Sequence, residues 1–211
     1  MSKRKVKNLL QLGTLHIFYI LLCFLSLVPI LYALQLSFSG SGGALSSGLS
    51  ILPQDFTLDN YRRIITEKPF LRWFSNSAVL AVLTMVIAIG FAVVAAYAFS
   101  RYRFRGRTGI LKVLLLLNAF PQILSMFALF RLLKEMHMLD TKLGLVIIYA
   151  GSMCIFSIWN MKGYFDTIPT EIEEASKIDG ASDFQLLWKI VMPLALPAII
   201  VTAVMVLIFV W

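Results

Sequence analysis

The chain has 211 residues, of which 59% are hydrophobic and only 14% charged, and its mean hydropathy is +0.84. A soluble domain holds about 45–50% apolar and about 25% charged residues, so this composition excludes both disorder and an ordinary water-soluble fold and requires lipid as solvent. The net charge of +8 does not mark a nucleic-acid binder, because the 19 Lys and Arg lie between long uncharged runs instead of forming one stripe.

Five runs approach the ~20 apolar residues that a helix needs to cross ~30 Å of hydrocarbon. Residues 1–14 form a basic N-terminal segment with Lys3, Arg4, Lys5 and Lys7, and 15–36 form the first span. A secretory h-region is shorter and ends at a small-residue cleavage site; this run is longer and lacks one, so it reads as an uncleaved anchor. Residues 37–77 form a loop whose start, Ser37 to Ser50, is rich in Gly and Ser and reads as flexible. Asn60, Tyr61 and Ile64 give the later part a more structured character, and Trp73 and Phe74 suit a membrane interface. The remaining 78–211 hold spans at about 78–100, 110–130, 143–161 and 194–211, with a polar loop at 162–193.

With the N-terminus inside, the inner segments collect the N-terminal basic group, the cluster Arg101, Arg103, Arg105, Arg107 and Lys112, and Lys162, Lys177 and Lys189. The outer loops hold fewer, namely Arg62, Arg63, Lys68, Arg72, Arg131, Lys134 and Lys142. The asymmetry predicts a cytoplasmic N-terminus. The Arg101 to Arg107 cluster reads as a topology determinant touching anionic headgroups, with a specific anion site as the other reading.

Span two carries Thr84, Ala88, Ala92, Ala96 and Ser100 at i+4 spacing. In lipid, helices associate where small residues let backbones approach, so Ala88, Ala92 and Ala96 read as a packing face, with Val93 off it; chance alanine richness is the alternative. Span three carries Asn118, Pro121, Gln122 and Ser125. Polar groups at that depth face protein or a water-filled path, so Asn118, Gln122 and Ser125 are candidates for a translocation path, against a proline kink with locally satisfied amides.

Enzymatic readings find no support. His16 and His137 fall in different segments and make no metal site, and Cys23 and Cys154 both lie inside apolar runs and give no disulfide framework. The glycines from Gly40 to Gly48 are not followed by Lys and Ser or Thr, so they form no phosphate loop.

The 162–193 loop is the most informative segment. It is acidic and amphipathic, with Asp166, Glu171, Glu173, Glu174, Asp179 and Asp183. Thr170 and Glu173 predict a capping box opening a helix with Ile172, Ala175 and Ile178 on its apolar face. Gly180 sits where a C-cap wants φ > 0. Ser182 with Gln185 predicts a second box, opening a helix with Phe184, Leu187, Trp188 and Val191 that Pro193 ends. Membrane-surface helices are usually basic, so an acidic pair points to a protein partner.

Glu174-Ala175-Ser176, with Gly180 following and Ile190-Val191-Met192-Pro193 beyond, resembles the Glu-Ala-Ala loop of permease subunits in binding-protein-dependent ABC importers. Ser176 stands for the usual second Ala and Met192 for the usual Leu. Ile168-Pro169-Thr170-Glu171-Ile172-Glu173, Ile178-Asp179-Gly180-Ala181, Leu139-Asp140-Thr141 and Phe56-Thr57-Leu58-Asp59-Asn60-Tyr61 are similar to the carbohydrate branch, close to the second maltose-type permease subunit. The resemblance implies an all-α polytopic membrane bundle of the type I, MetI-like kind, with five of six expected transmembrane helices present and the C-terminal part missing. It implies a transport subunit, not an enzyme, for sugars or related polyols in a prokaryotic plasma (inner) membrane. It binds no cofactor itself; ATP and Mg belong to separate ATPase subunits. The other partners implied are a second permease subunit and an extracytoplasmic solute-binding protein. Glu174, Ala175, Ser176, Gly180, Ile190 and Pro193 are then the ATPase-coupling residues, with Glu174 making the polar contact. The rival readings are a stand-alone channel or secondary carrier using the Asn118 to Ser125 region, and an inactive membrane scaffold.

Overall fold

The computed structural model describes residues 3–40, 56–119 and 122–211; the side chains before Leu12 and those of Gln122 and Ile123 lie outside the described set. The described residues are helical, and their one β pairing is an isolated bridge between Ser39 and Phe56. Among the described residues, four helices are long and apolar enough to cross a membrane, or five if one bent pair is a single span. The chain divides into two compact units, Met1–Trp73 and Phe74–Trp211.

The first unit contains α1 (Lys3–Ser37) and α2 (Asp59–Glu67). The apolar window of α1 has no residue buried by the chain, as suits a helix surrounded by lipid. A helix end leaves its last carbonyls without intrahelical donors. Here the Asn60 amide supplies them, donating to the carbonyls of Ser39 at 2.8 Å, Ser37 at 3.2 Å and Leu36 at 3.4 Å. Tyr61 donates its hydroxyl hydrogen to Ser37 Oγ at 2.8 Å, and Phe38 stacks on Phe56 with ring centres 5.0 Å apart. The Phe56 to Tyr61 string thus fastens the end of α1. The Gly/Ser-rich stretch from residue 41 to 55 lies outside the described residues.

The second unit is built on α3 (Phe70–Arg101), α6 (Lys142–Phe165) and α8 (Asp183–Val210). With 32 residues, α3 is about 48 Å long at ~1.5 Å per residue, more than the hydrocarbon thickness. Its extra turns run from Phe70 to Ser77, so Trp73 and Phe74 are on the helix and not in a loop before it. Ala81, Thr84, Ala88, Ala92 and Ala96 have no exposed surface. Ala81, Ala92 and Ala96 sit where α3 meets the apolar faces of α6 and α8, in clusters that include Ile158, Met161, Phe165, Leu186, Val191, Ala195 and Val206. Val93 is not off this face: it is 2% exposed and belongs to the same core, because two helices flank α3 and the buried arc is wider than a one-residue stripe. Between α6 and α8, Asn160 donates from Nδ2 to Thr202 Oγ1 at 2.7 Å, a polar tie of the kind that holds helices together in lipid.

The run expected as one helix over 110–130 is two, α4 (Arg107–Ala119) and α5 (Gln122–Glu135). Arg107–Ala119 and Leu124–Glu135 are bent by 99° from each other. The break falls at residues 120–121, outside the described residues; Pro121 lacks the amide hydrogen that a continuous helix would use there.

The entry to α6 is tight. Thr141 caps it by accepting from the Gly144 amide at 3.1 Å, while Asp140 turns the chain at φ 58°. A Cβ on Gly144 would come within 2.6 Å of the Met138 carbonyl oxygen and 3.2 Å of Leu133 Cδ2. Gly144→Ala is therefore expected to lower stability by about 1–3 kcal/mol through overpacking, read as a drop in the thermal midpoint of the purified protein; an unchanged midpoint would refute the close approach.

Candidate functional site

The loop after α6 is an elbow, Asp166 to Pro169, followed by α7 (Thr170–Ile178) and the start of α8. The expected Thr170–Glu173 capping box is absent. Pro169 is the N-cap and makes no side-chain bond, and Thr170 is already in the first turn. Glu173 is drawn elsewhere: it is 7% exposed, and a buried carboxylate needs charged or hydrogen-bonded partners more than a helix end needs a cap.

Those partners come from the end of α3. Arg101 Nε donates to Glu173 Oε1 at 2.5 Å, and the Tyr97 hydroxyl donates to Glu173 Oε2 at 3.0 Å. The other two Arg101 nitrogens reach the Ile168 carbonyl at 3.0 Å and Ser100 Oγ at 3.1 Å. Asp166 accepts from Ser100 Oγ and from Lys162 Nζ, both at 2.6 Å. Burial pushes the Asp166 carboxyl upward, but the hydrogen bonds from Lys162 and Ser100 and the charges of Lys162 and Arg107 outweigh it, leaving the group below the ordinary carboxylate value. With the folded value depressed, this contribution is fully present above the unfolded carboxylate range and is lost as pH falls through the folded value. The Arg101 and Glu173 side chains are 11% and 9% exposed, so removing either one strands a buried charge at a cost of about 3–5 kcal/mol.

Gly180 has φ +87°, the left-handed conformation expected of it. The Gly180 amide donates to the Lys177 carbonyl and the Ala181 amide to the Ser176 carbonyl, both at 3.0 Å, which is the Schellman pattern closing α7. The Ser182–Gln185 capping box is formed in both directions. Lys177 bridges to Asp183 at 3.0 Å across the turn, a hydrogen bond that raises the lysine's pKa on a solvent-exposed pair.

Pro193 does not end the second helix. Residues Leu186–Val191 form a π turn that runs directly into Met192–Val210, so loop arm and final span are one helix. Pro193 falls in the first turn of the α-helical stretch, and the wider π turn before it relieves the clash its ring would make with the carbonyl four residues back.

The apolar stripe of α7 faces away from the chain's own core. Instead of packing on this chain, Ile172 is 39% and Ile178 87% exposed, and Phe184 and Trp188 beyond the turn are 72% and 43% exposed. Glu174, Ala175, Gly180 and Pro193 are exposed with them, while Ser176 and Ile190 are half-buried. The face α7 turns inward carries Glu173. Of the candidate path residues, Asn118 is exposed and Ser125 half-buried, and the Gln122 side chain is outside the described set. Ala88, Ala92 and Ala96 are the buried seam of α3. The residues that sequence reasoning did not bring together are Tyr97, Ser100, Arg101, Lys162 and Asp166; the available signal was an arginine closing an apolar span beside a loop with surplus acid.

The family pattern described as "Binding-protein-dependent transport system inner membrane component" matches residues 88–211. The chain is 34% identical over 191 residues to the galactooligosaccharides transport system permease protein GanQ of Bacillus subtilis (strain 168), covering 88% of this chain and 67% of that protein. It is 37% identical over 171 residues to the maltodextrin transport system permease protein MdxG of the same organism, covering 81% of this chain and 56% of that protein. A crystal structure of a bacterial ABC transporter involved in the import of the acidic polysaccharide alginate superposes with a TM-score of 0.80 at 29% identity, covering 100% of this chain and 72% of that one. The chain spans about half to under three quarters of the length of these proteins. Helical architecture, sequence and superposition agree, and the chain belongs to the inner-membrane components of binding-protein-dependent transport systems, the MetI-like permeases of ABC importers.

Proposed function

We propose that this chain is the permease subunit of an ATP-driven importer of sugars, with its N-terminus in the cytoplasm and its 162–193 loop docked on a separate ATPase subunit. ATP and Mg are bound by that ATPase, a second permease subunit completes the pathway, and an extracytoplasmic binding protein delivers the solute. The saccharide class rests on the relatives, which are named for galactooligosaccharides and maltodextrin. The observation that carries the docking assignment is the exposed stripe of Ile172, Ile178, Phe184 and Trp188 with Glu174 beside it, on a loop whose turn is closed by the Gly180 Schellman bonds and the Ser182–Gln185 capping box. An amphipathic helix normally turns its apolar residues inward; one that turns them out, on helices anchored by a buried ion pair, has a surface suited to a partner.

Glu174→Lys, expressed at parental membrane level, is expected to reduce co-purification of the ATPase several-fold and to reduce ATP-dependent uptake of labelled galactooligosaccharide or maltodextrin in step. A reporter after Phe104 should face the cytoplasm and one after Ser47 the exterior. Full co-purification with the variant, or swapped reporter signals, would remove the docking assignment, and uptake by the purified chain alone would favour a stand-alone carrier.

A further inference from the structure

The loop is joined to the membrane core in two ways. One is covalent, because the second loop arm continues into the last span of α8. The other is the polar junction at the end of α3, which leaves few free valences. Nε, Nη1 and Nη2 of Arg101 each have an acceptor, and both Glu173 carboxylate oxygens have a donor. These bonds connect three segments: the last turn of α3 through Tyr97 and Arg101, the elbow through the Ile168 carbonyl, and α7 through Glu173. Glu173 and Glu174 are adjacent, about 100° apart around the helix, one buried on α3 and the other exposed. A push on the exposed face of α7 cannot tilt that helix without either separating a buried ion pair or carrying α3 along. In turn, α3 is packed along its length by fully buried small residues from Ala81 to Ala96, which leave little slack.

We propose that Tyr97, Arg101 and Glu173 form a strut that passes displacement of the ATPase-facing loop to α3, making them positioning residues for coupling. This rests on the docking assignment above. A purely structural ion pair would be replaceable by apolar side chains of similar volume, since a buried pair adds little over well-packed hydrophobic residues. A strut would not, because apolar contacts lack the fixed direction of the bonds to Glu173 and to the Ile168 carbonyl.

The test uses the whole complex, purified through its ATPase subunit and reconstituted in lipid, with Cys23 and Cys154 replaced by Ala and Ser75→Cys as a reporter. Ser75 is exposed, on the opposite end of α3 from Arg101. The rate of labelling by a water-soluble maleimide is measured with and without ATP and vanadate. The double variant Arg101→Met with Glu173→Leu is expected to co-purify at the parental level while its nucleotide-dependent change in labelling falls at least fivefold; Tyr97→Phe, which deletes one hydrogen bond, should lower it about twofold. A double variant that assembles and keeps the parental response overturns the strut. If the double variant does not assemble, Tyr97→Phe decides, and an unchanged response there overturns it equally. Failure of the unmodified chain to co-purify with the ATPase would instead count against the docking assignment, so the two failures are distinguishable.

Discussion

Gly180→Val is expected to abolish uptake while leaving membrane insertion at the parental level. Gly180 holds φ +87° between the Schellman closure of α7 and the Ser182 cap of α8, and no atom lies within 4 Å of the Cβ a substitution would add. The Cβ itself therefore meets no collision, and the main effect is backbone strain, about 1–3 kcal/mol and greatest for a β-branched residue. That strain is relieved by rotating the turn out of the left-handed region. The rotation breaks the hydrogen bonds from the Gly180 and Ala181 amides and changes the angle between the two arms that carry Ile178 and Phe184. The matched control is Gly180→Asn, because Asn tolerates positive φ; it should retain most of the activity, with Gly180→Ala between the two. Uptake and ATPase co-purification at equal membrane level are the measurements, and equal activity for Val and Asn would show that the left-handed turn is dispensable.

Ala92→Leu is expected to cost about 1–3 kcal/mol and to lower the yield of folded protein sharply, because Ala92 has no exposed surface and the seam has no space for three more carbons. The core around it includes Ile158, Phe165 and Leu186 from two other helices, so relief would require moving α6 or α8 bodily. The control on the same helix is Val94→Leu, since Val94 is 52% exposed and adds a methylene toward lipid. Thermal aggregation in detergent should separate the two variants, and indistinguishable curves would mean that the seam is loosely packed.

The features legible in sequence are those whose signal is local or periodic. The small residues from Thr84 to Ala96 announce a seam because helix geometry puts every fourth residue on one side. Gly180 and the Ser182–Gln185 box announce a turn because few residue types satisfy those backbone positions. Glu173 was misread because a carboxylate three residues after Thr170 is a good cap, and only the fold shows that Arg101, 72 residues away, competes for it. The stripe of Ile172 and Ile178 is legible as an apolar face by its spacing, but its exposure is not, because periodicity does not say which side a helix turns to its own chain. Pro193 reads as a stop by its chemistry, yet a π turn accommodates it. The sharp bend between α4 and α5 is hidden because the composition stays apolar on both sides of Pro121.

The π turn of α8 has one more consequence, which concerns rotational phase. Along this helix the buried positions are Leu186 and the series Leu187, Val191, Ala195 and Ile199, then Thr202, Val206 and Val210. In a regular α-helix each step of four overshoots a full turn by about 40°, so three such steps would carry the stripe about 120° around the axis; the step of three to Thr202 returns only about 60°. The wider spacing at Leu186–Val191 reduces the rotation per residue there and absorbs part of that overshoot. The one surplus residue thus acts as a phase corrector, allowing the arm outside the lipid and the span within it to present a single face to α3 and α6. What the stretch between Gly180 and Pro193 must preserve is first this wider turn, since regular α spacing over the same residues would rotate the span about 100° away from the seam it fills.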